Sequence, residues 1–233
     1  MPRPRNSLAK LLTILQANVG RGATVHEIAL SLANSSFVDI ILIQEPYIFS
    51  DRTRKISKAH PMYESFTPLD DWTIRPRVMS YVRKGSGLHA DQVRPVTTRD
   101  LIFLQIQARN APLITIINAY NAPPGSTNPG TAITALLGLP PSLLTSAFLA
   151  GDFNLLHPRW DLHTTRTSRN TEPFIEWLDN NYLVFTSVNG ASIYAKGNVL
   201  NLAFLLGPFT GSTTLAHNLD CTLDYTPLLT SIN

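Results

Sequence analysis

The chain of 233 residues has almost no cysteine and no long uninterrupted apolar run. Its one cysteine, Cys221, excludes a disulfide framework and a thiolate zinc site. Nothing in the sequence has the length of about 18 apolar residues that spanning a bilayer requires, because Pro140 and Pro141 interrupt the apolar stretch at 136–150. With no signal peptide in view, we expect an intracellular protein, nuclear or cytoplasmic, with no membrane partner.

Proline, by contrast, is abundant, with 17 residues in the chain. This number favours strands joined by irregular loops over a helical bundle. The length is sufficient for a large buried core, and no repeat or linker divides the chain. We therefore expect one domain over residues 11–233, preceded by a disordered basic N-terminus at residues 1–10.

Short apolar and alternating runs predict many strands and few helices. The predicted strands are residues 11–17, 38–43, 77–83, 101–107, 113–120, 146–152, 183–186, 192–195, 199–206 and 226–232. The predicted helices are 24–32, 129–137 and 172–180, the first with Thr24 and Glu27 as a capping box, and residues 51–73 are predicted to be a loop. This pattern predicts a layered α+β sandwich.

Polar side chains stand at the ends of several predicted strands: Asn18, Glu45, Tyr120 and, in SAFLAGDFN, Asp152 and Asn154. If the chain stays extended, Asp152 and Asn154 share one face. There the carboxylate can orient a water molecule while the amide donates to a phosphoryl oxygen. The alternative is a strand that ends in an Asx turn, with both residues selected for backbone reasons.

The formal net charge of +3 hides an uneven distribution. Residues 1–110 carry 15 Lys and Arg against 9 Asp and Glu, whereas residues 111–233 carry 4 against 7. An acidic half with the candidate site and a basic half suit a metal-dependent enzyme that acts on a polyanion. The alternative is a set of solvated loop charges. The basic candidates are Arg52, Arg54, Lys55, Lys58, Arg75, Arg77, Arg83 and Lys84.

Five segments carry a resemblance to a known family. They are QANVGR at 16–21, IQEP at 43–46, RPRVMSYVRK at 75–84, INAYNAPP at 117–124 and GDFNLLHPRWD at 151–161. In this order they resemble the successive motifs of the endonuclease/exonuclease/phosphatase superfamily. More narrowly, they are similar to the endonuclease domain of fungal LINE-type (non-LTR) retrotransposons, over about residues 11–232.

The resemblance implies a DNase I-like four-layer α/β-sandwich, an α+β fold in which helices flank two mixed β-sheets. It also implies hydrolysis of a DNA phosphodiester with Mg²⁺, or Mn²⁺, as cofactor. In this family the nick primes reverse transcription, so a reverse transcriptase domain in the parent polyprotein is a possible partner.

The resemblance also implies a role for each matching residue. Glu45 is expected to be the metal carboxylate, and Asn18 and Asn154 to hold the scissile phosphate. Tyr120 is expected to donate a hydrogen bond to that phosphate. Asp152 is expected to orient or deprotonate the attacking water.

The last third departs from the family pattern. Asn201 stands where the family has Asp, and Leu223, Asp224 and Tyr225 stand where it has Ser-Asp-His. The resemblance implies that this His contacts the phosphate and that the Asp replaced by Asn201 orients it. Tyrosine, with a pKa near 10, stays neutral where a histidine near 6.5 can carry a proton. We therefore expect a severely impaired nuclease. The alternative is a catalytically dead nucleic-acid-binding module or a transposon relic.

Overall fold

The computed structural model describes residues 12–51, 54–109, 111–126, 129, 131–187, 190, 200–219 and 226–233. Its helices are α1 (Ala23–Ser35), α2 (Ala132–Leu137) and α3 (Thr171–Asn180), with 3₁₀ turns at Pro141–Leu144 and His217–Leu219. Its strands are β1 (Leu12–Asn18), β2 (Ile40–Gln44), β3 (Ile48–Ser50), β4 (Lys55–Ser57), β5 (Tyr63–Phe66), β6 (Val78–Arg83), β7 (Leu88–Val93), β8 (Leu101–Ala108), β9 (Ile114–Tyr120), β10 (Ala147–Asp152), β11 (Val184–Phe185), β12 (Asn201–Leu206), β13 (Gly211–Leu215) and β14 (Leu228–Ile232).

The strands form two mixed sheets of six strands each. The first sheet has the order β13-β14-β1-β2-β6-β5 and the second has the order β11-β12-β10-β9-β8-β7. The only parallel pairs among the described strands are β1 with β2 and β9 with β10, one in each sheet. A separate antiparallel ribbon consists of β3 and β4.

The two sheets pack face to face around an apolar core. Ile14 and Leu42 of the first sheet belong to the same buried cluster as Leu104, Ile116 and Phe148 of the second sheet. The central strands are buried along their whole length: all five residues of β2 and all seven of β9 are buried. Strands buried on both faces need continuous apolar sequence, which explains the uninterrupted runs IILI and ITII.

Helices cover the outer face of each sheet. Leu30 of α1 packs with Leu15 and Ile41 outside the first sheet. Ile133 of α2 and Phe174 of α3 belong to the cluster outside the second sheet. The layers are therefore helix, sheet, sheet and helices, which confirms the predicted four-layer sandwich. No helix among the described residues is long and apolar enough to cross a membrane.

Short edge strands account for most of the errors in the sequence prediction. Residues 51–73 were predicted to be a loop, yet they contain β4 and β5, and the strands β3, β7 and β13 also went unpredicted. These strands are short and largely exposed, so their composition is that of loops. Pairing with a neighbour decides their conformation. The predicted strand 192–195 lies outside the described residues.

The predicted capping box of α1 is also wrong. The helix starts at Ala23 after Gly22, which makes no side-chain capping bond. Glu27 instead forms an ion pair with Lys58, with 2.7 Å between the Lys58 Nζ and Glu27 Oε2 atoms. The helix is held by its packing on the sheet, and the first turn needs no reciprocal cap.

Gly151 permits the close approach of β9 and β10, and this gives a test of the fold. A Cβ atom at Gly151 would overlap the carbonyl oxygen of Ala119, its partner in the ladder. We expect Gly151→Ala to lower the free energy of unfolding by about 1–3 kcal/mol or more, measured by urea titration. Gly138→Ala, whose Cβ would meet only ordinary contacts at 3.7 Å, is the control and should be nearly neutral. Equal losses would contradict the interpretation.

Candidate active site

Strand ends from both sheets meet at one edge of the sandwich. Asn18 ends β1 in the first sheet and Asp152 ends β10 in the second sheet, and the Asn18 Nδ2 atom donates a 2.8 Å hydrogen bond to Asp152 Oδ2. Parallel pairing places Tyr120 beside Asp152 and Gln44 beside Asn18. The structure thus brings together polar residues that are 134 positions apart in the chain.

Glu45 follows β2 and lies at the rim of this edge. Its Oε1 atom accepts a 3.1 Å hydrogen bond from Arg21 Nε and forms an ion pair with Arg21 Nη2 at 2.9 Å. Its backbone N–H donates to the Arg77 carbonyl, and its own carbonyl accepts from the Arg21 N–H at 2.7 Å. The side chain is 16% exposed, so the carboxylate is positioned by protein contacts but remains within reach of solvent.

Backbone strain is concentrated at this edge. Of the five non-glycine residues with positive φ among the described residues, three lie here: Arg21, Glu45 and Asn154. Each such conformation costs on the order of 1–3 kcal/mol and persists only where surrounding bonds hold it. The hydrogen bonds of Arg21 and Glu45 to each other supply that restraint.

Asp152 is fully buried and has a perturbed ionisation. Burial, reinforced by the negative charge of Glu45, raises the pKa of Asp152 to about 7, although the hydrogen bond from Asn18 and the bonds from Asn154 act in the opposite direction. The Asn154 N–H donates to the Asp152 Oδ1 atom at 3.2 Å. A carboxylate in this setting can exchange a proton near neutral pH.

Asn154 lies in a turn and not on extended chain, so the extended geometry from which a shared face was predicted is wrong. The strand ends at Asp152, and Asn154 has a φ of 49°. Its N–H bonds back to Asp152 in an Asx turn, and its Nδ2 atom donates to the Asn121 carbonyl at 3.0 Å. The alternative that the sequence left open therefore describes the local backbone.

Tyr120 is a buried neutral phenol at the same edge. Burial raises its pKa well above the usual range, and the negative charges of Glu45 and Asp152 raise it further. The guanidinium of Arg77 lies over the Tyr120 ring, 5.8 Å from its centroid. The hydroxyl group therefore keeps its proton at any physiological pH and can act only through hydrogen bonds.

Asn201 begins β12 and pairs with Asp152 across the antiparallel ladder. The side chain is buried, and neither its nitrogen nor its oxygen has a hydrogen-bond partner among the described residues. Asp224 and Tyr225 were also predicted to lie at the site, but they fall, with Leu223, outside the described residues.

A cleft of about 410 Å³ adjoins Glu45, and four arginines line it: Arg21, Arg75, Arg77 and Arg99. Sequence reasoning placed Arg75 and Arg77 in a diffuse basic group and gave no role to Arg21 or Arg99. Arg83, from the same group, instead donates to the Asn34 and Val38 carbonyls within the first sheet's periphery. Only the tertiary structure separates the arginines of the cleft from the structural one.

Two buried amides connect the sheets just inside the site, and the sequence assigned no role to either. Gln44 Nε2 donates to Asn118 Oδ1 at 2.7 Å. Asn118 Nδ2 donates to the Met79 carbonyl of β6 at 2.9 Å. The sequence signal that could have identified Asn118 is its position in a buried apolar strand, two residues before Tyr120, where an amide needs a hydrogen-bond partner.

The carboxylates of Glu45 and Asp152 are the candidate metal ligands. No cluster of three or more His, Cys, Asp or Glu residues occurs in the described part of the chain. Mg²⁺ is commonly held by one or two carboxylates together with substrate phosphates and water. Glu45 raises the pKa of Asp152, so a cation between these carboxylates would relieve their repulsion. The residues present fit a hard divalent ion.

The raised pKa of Asp152 predicts that the stability of the chain depends on pH when a chelator removes divalent metal ions. Between about pH 4 and pH 7 the folded chain retains a proton that the unfolded chain releases, because the pKa moves from 3.8 to about 7. The contribution of this group to the free energy of unfolding is therefore largest below about pH 4. It decreases by up to about 1.4 kcal/mol per pH unit as the pH rises to about 7.

Urea titrations of the native chain and of Asp152→Asn across this range would measure the effect. The variant cannot titrate at this position, so its stability relative to the native chain should increase from pH 4 to pH 7. A difference that does not change with pH would contradict the assignment.

Comparison with known proteins shows which family and which folds the chain is similar to. Residues 114–227 match the family model described as endonuclease-reverse transcriptase. No curated protein sequence matches the chain. The endonuclease domain of TRAS1, a telomere-specific non-LTR retrotransposon, superposes with a TM-score of 0.73 at 18% identity, over 96% of this chain and 99% of that chain.

More distant structures share the fold. D. rerio TDP2 complexed with a single-strand DNA product aligns with a TM-score of 0.55 at 13% identity, over 97% of this chain and 100% of that chain. The human Nocturnin catalytic domain aligns with a TM-score of 0.60 at 12% identity, over 96% and 93% of the respective chains. The chain therefore has a DNase I-like fold, and its residues 114–227 are similar to the endonuclease-reverse transcriptase family.

Proposed function

We propose that the chain is a divalent-metal-dependent phosphodiesterase of the type that nicks DNA, with a rate severely reduced by its own substitutions. The observation that carries this proposal is the convergence of Asn18, Glu45, Tyr120 and Asp152, from both sheets, beside an arginine-lined cleft. An ionisable buried carboxylate, hydrogen-bond donors and excess positive charge are what hydrolysis of a phosphodiester requires.

In the proposed reaction, Asp152 orients a water molecule and accepts its proton. Asn18 uses one Nδ2 hydrogen for Asp152 and has a second hydrogen for a phosphoryl oxygen. Tyr120, which stays neutral, donates a hydrogen bond to the same phosphate. Asn154, if it contacts the phosphate, does so from the turn after β10.

Glu45, with Asp152 nearby, would hold Mg²⁺ or Mn²⁺. The bound ion would neutralise charge on the phosphoryl oxygens. Arg21 holds the Glu45 carboxylate in place through one hydrogen bond and an ion-pair contact, both to Oε1. We infer that this restraint fixes the direction in which Glu45 presents its free oxygen.

DNA is the proposed substrate. Support comes from the similarity to a retrotransposon endonuclease domain and to a TDP2 structure that contains a single-strand DNA product. By the same similarity, the nick would prime reverse transcription, with a reverse transcriptase in the parent polyprotein and a nuclear or cytoplasmic location. The family model that matches residues 114–227 is itself described as endonuclease-reverse transcriptase.

The proposed impairment rests on Asn201 and Tyr225. An amide at 201 cannot stabilise a cationic partner, and a tyrosine at 225 cannot transfer a proton at neutral pH. Losing one charged group that acts in the transition state commonly lowers the rate by about 10²-fold or more. Asn201 is buried with no hydrogen-bond partner among the described residues, which is consistent with the loss of an interacting pair.

The arginine-lined cleft favours a second candidate function, a non-catalytic nucleic-acid-binding module. The arginine-lined cleft does not depend on Asn201, so binding would survive the loss of catalysis. Binding without cleavage, with an affinity that falls steeply as salt rises, would favour this candidate.

Nicking of supercoiled plasmid with Mg²⁺ or Mn²⁺ tests the catalytic proposal. The triple variant Asn201→Asp, Leu223→Ser, Tyr225→His should nick at least about 10²-fold faster than the native chain, because it restores the acid and the histidine. Adding Asp152→Asn or Glu45→Gln to this background should abolish the gain.

Asp179→Asn in the same background is the matched control. This carboxylate forms an exposed ion pair with Arg159 away from the site, so its loss should leave the rate unchanged. Rapid nicking by the native chain that requires Asp152 would refute the impairment. Nicking by neither chain, with DNA still bound, would support the binding module.

A further inference from the structure

The cleft beside Glu45 has an excess of positive charge. Arg21, Arg75, Arg77 and Arg99 line it together with Glu45. The carboxylates that contact these arginines within the described ranges are Glu45, bound to Arg21, and Asp100, which is 3.2 Å from Arg77 and 4.0 Å from Arg99. Among the described residues, the guanidinium groups that line the cleft thus outnumber the carboxylates in contact with them.

Arg75 and Arg99 carry most of this excess. Arg75 Nη2 donates to the Pro46 carbonyl at 2.9 Å, and the described residues bring no carboxylate within 4.0 Å of its guanidinium. Burial and the neighbouring charge of Arg21 lower the pKa of Arg75, and burial and Arg77 lower that of Arg99. Partly buried cations that repel one another are costly unless an anion joins them.

A hydroxyl group in the same cleft points independently to a ligand. The Ser126 Oγ atom is buried and has no hydrogen-bond partner among the described residues, although Ser126 lines the cleft. Gly125, next to it, has a φ of 89° and open space where a Cβ would lie. An unused hydroxyl and an open backbone opposite arginines match the way proteins contact a phosphate.

The strand ends fix the position of the cleft relative to the site. The Arg77 N–H donates to the Arg99 carbonyl, and the Tyr120 N–H donates to the Asp100 carbonyl, both at 2.9 Å. Arg21 contacts Glu45 directly, and Arg77 lies over Tyr120. An anion in the cleft is therefore held on the same rigid framework as the candidate catalytic groups.

We propose that Arg75, Arg99 and Ser126 bind an internal phosphodiester of the nucleic-acid strand that is next to the scissile phosphate. This inference rests on the proposed function for its substrate class. The role of the cleft is thus to position the nucleic-acid strand. Its residues bind and orient that strand and take no part in the chemical step.

Fluorescence anisotropy in EDTA with a short labelled DNA duplex tests the proposal without cleavage. Arg75→Gln and Arg99→Gln should each weaken binding on the order of tenfold and make the salt dependence of log K shallower by about 1. Arg159→Gln removes the same charge from an ion pair with Asp179 elsewhere on the surface and should change neither value. Losses no larger than that of Arg159→Gln, or no binding by the native chain, would overturn the proposal.

Ser126→Ala and Arg75→Lys separate local contacts from charge. Ser126→Ala should weaken binding and leave the salt dependence unchanged, because no charge is lost. Arg75→Lys should retain the salt dependence and lose affinity, because lysine lacks the planar fork. If Ser126→Ala has no effect on affinity, the hydroxyl contact is wrong. Melting temperatures close to that of the native chain confirm that each variant is folded.

Two further binding measurements determine whether the cleft binds an internal phosphodiester or a phosphomonoester. Binding should be the same for duplexes with and without a 5′-terminal phosphate, and inorganic phosphate should compete weakly. Binding that requires the terminal phosphate, or strong competition by inorganic phosphate, would assign the cleft to a phosphomonoester and overturn the proposal. If the arginine variants lose binding while no chain nicks DNA, the cleft assignment stands and the catalytic proposal fails.

Discussion

The arrangement of the site depends on hydrogen bonds that cross between the two sheets. Apolar side chains hold the sheets together, but apolar contact alone has little directional preference. The Asn18–Asp152 bond at 2.8 Å and the Gln44–Asn118 bond at 2.7 Å are buried and directional. A buried polar group left unpaired costs about 1–3 kcal/mol, so these bonds fix one relative position of the strand ends. The positions of all the candidate catalytic groups follow from that alignment.

The same edge also holds unfavourable features that the rest of the fold must offset. Glu45 and Asp152 repel each other, Arg21, Glu45 and Asn154 have positive φ, and partly buried arginines lie side by side. Each feature is costly in the free chain, and a cation or a phosphate would relieve the two charge repulsions. The long buried strands of both sheets supply the stability that keeps this edge in place.

Asn201 shows how stability and activity can oppose each other at one position. It lies opposite Asp152 in the ladder, where an aspartate would add another buried negative charge. An amide avoids that charge and its desolvation cost, while it removes the group that the family resemblance assigns to orient a histidine. Asparagine at this position is therefore consistent with the proposal that the chain keeps the fold and has a reduced rate.

The sequence by itself determined the central strands, the helices within a few residues, and the polar residues at the strand ends, because continuous apolar runs and the residues that end them are local patterns. The pattern of elements predicted a layered α+β sandwich, and the resemblance of the five motifs implied its four layers. Only the tertiary structure decided the edge strands, whose exposed composition is that of loops, and the Asx turn in which Asn154 follows Asp152. It also decided which arginines line the cleft, because Arg21, Arg75 and Arg99 come from separate loops and meet only when the two sheets align.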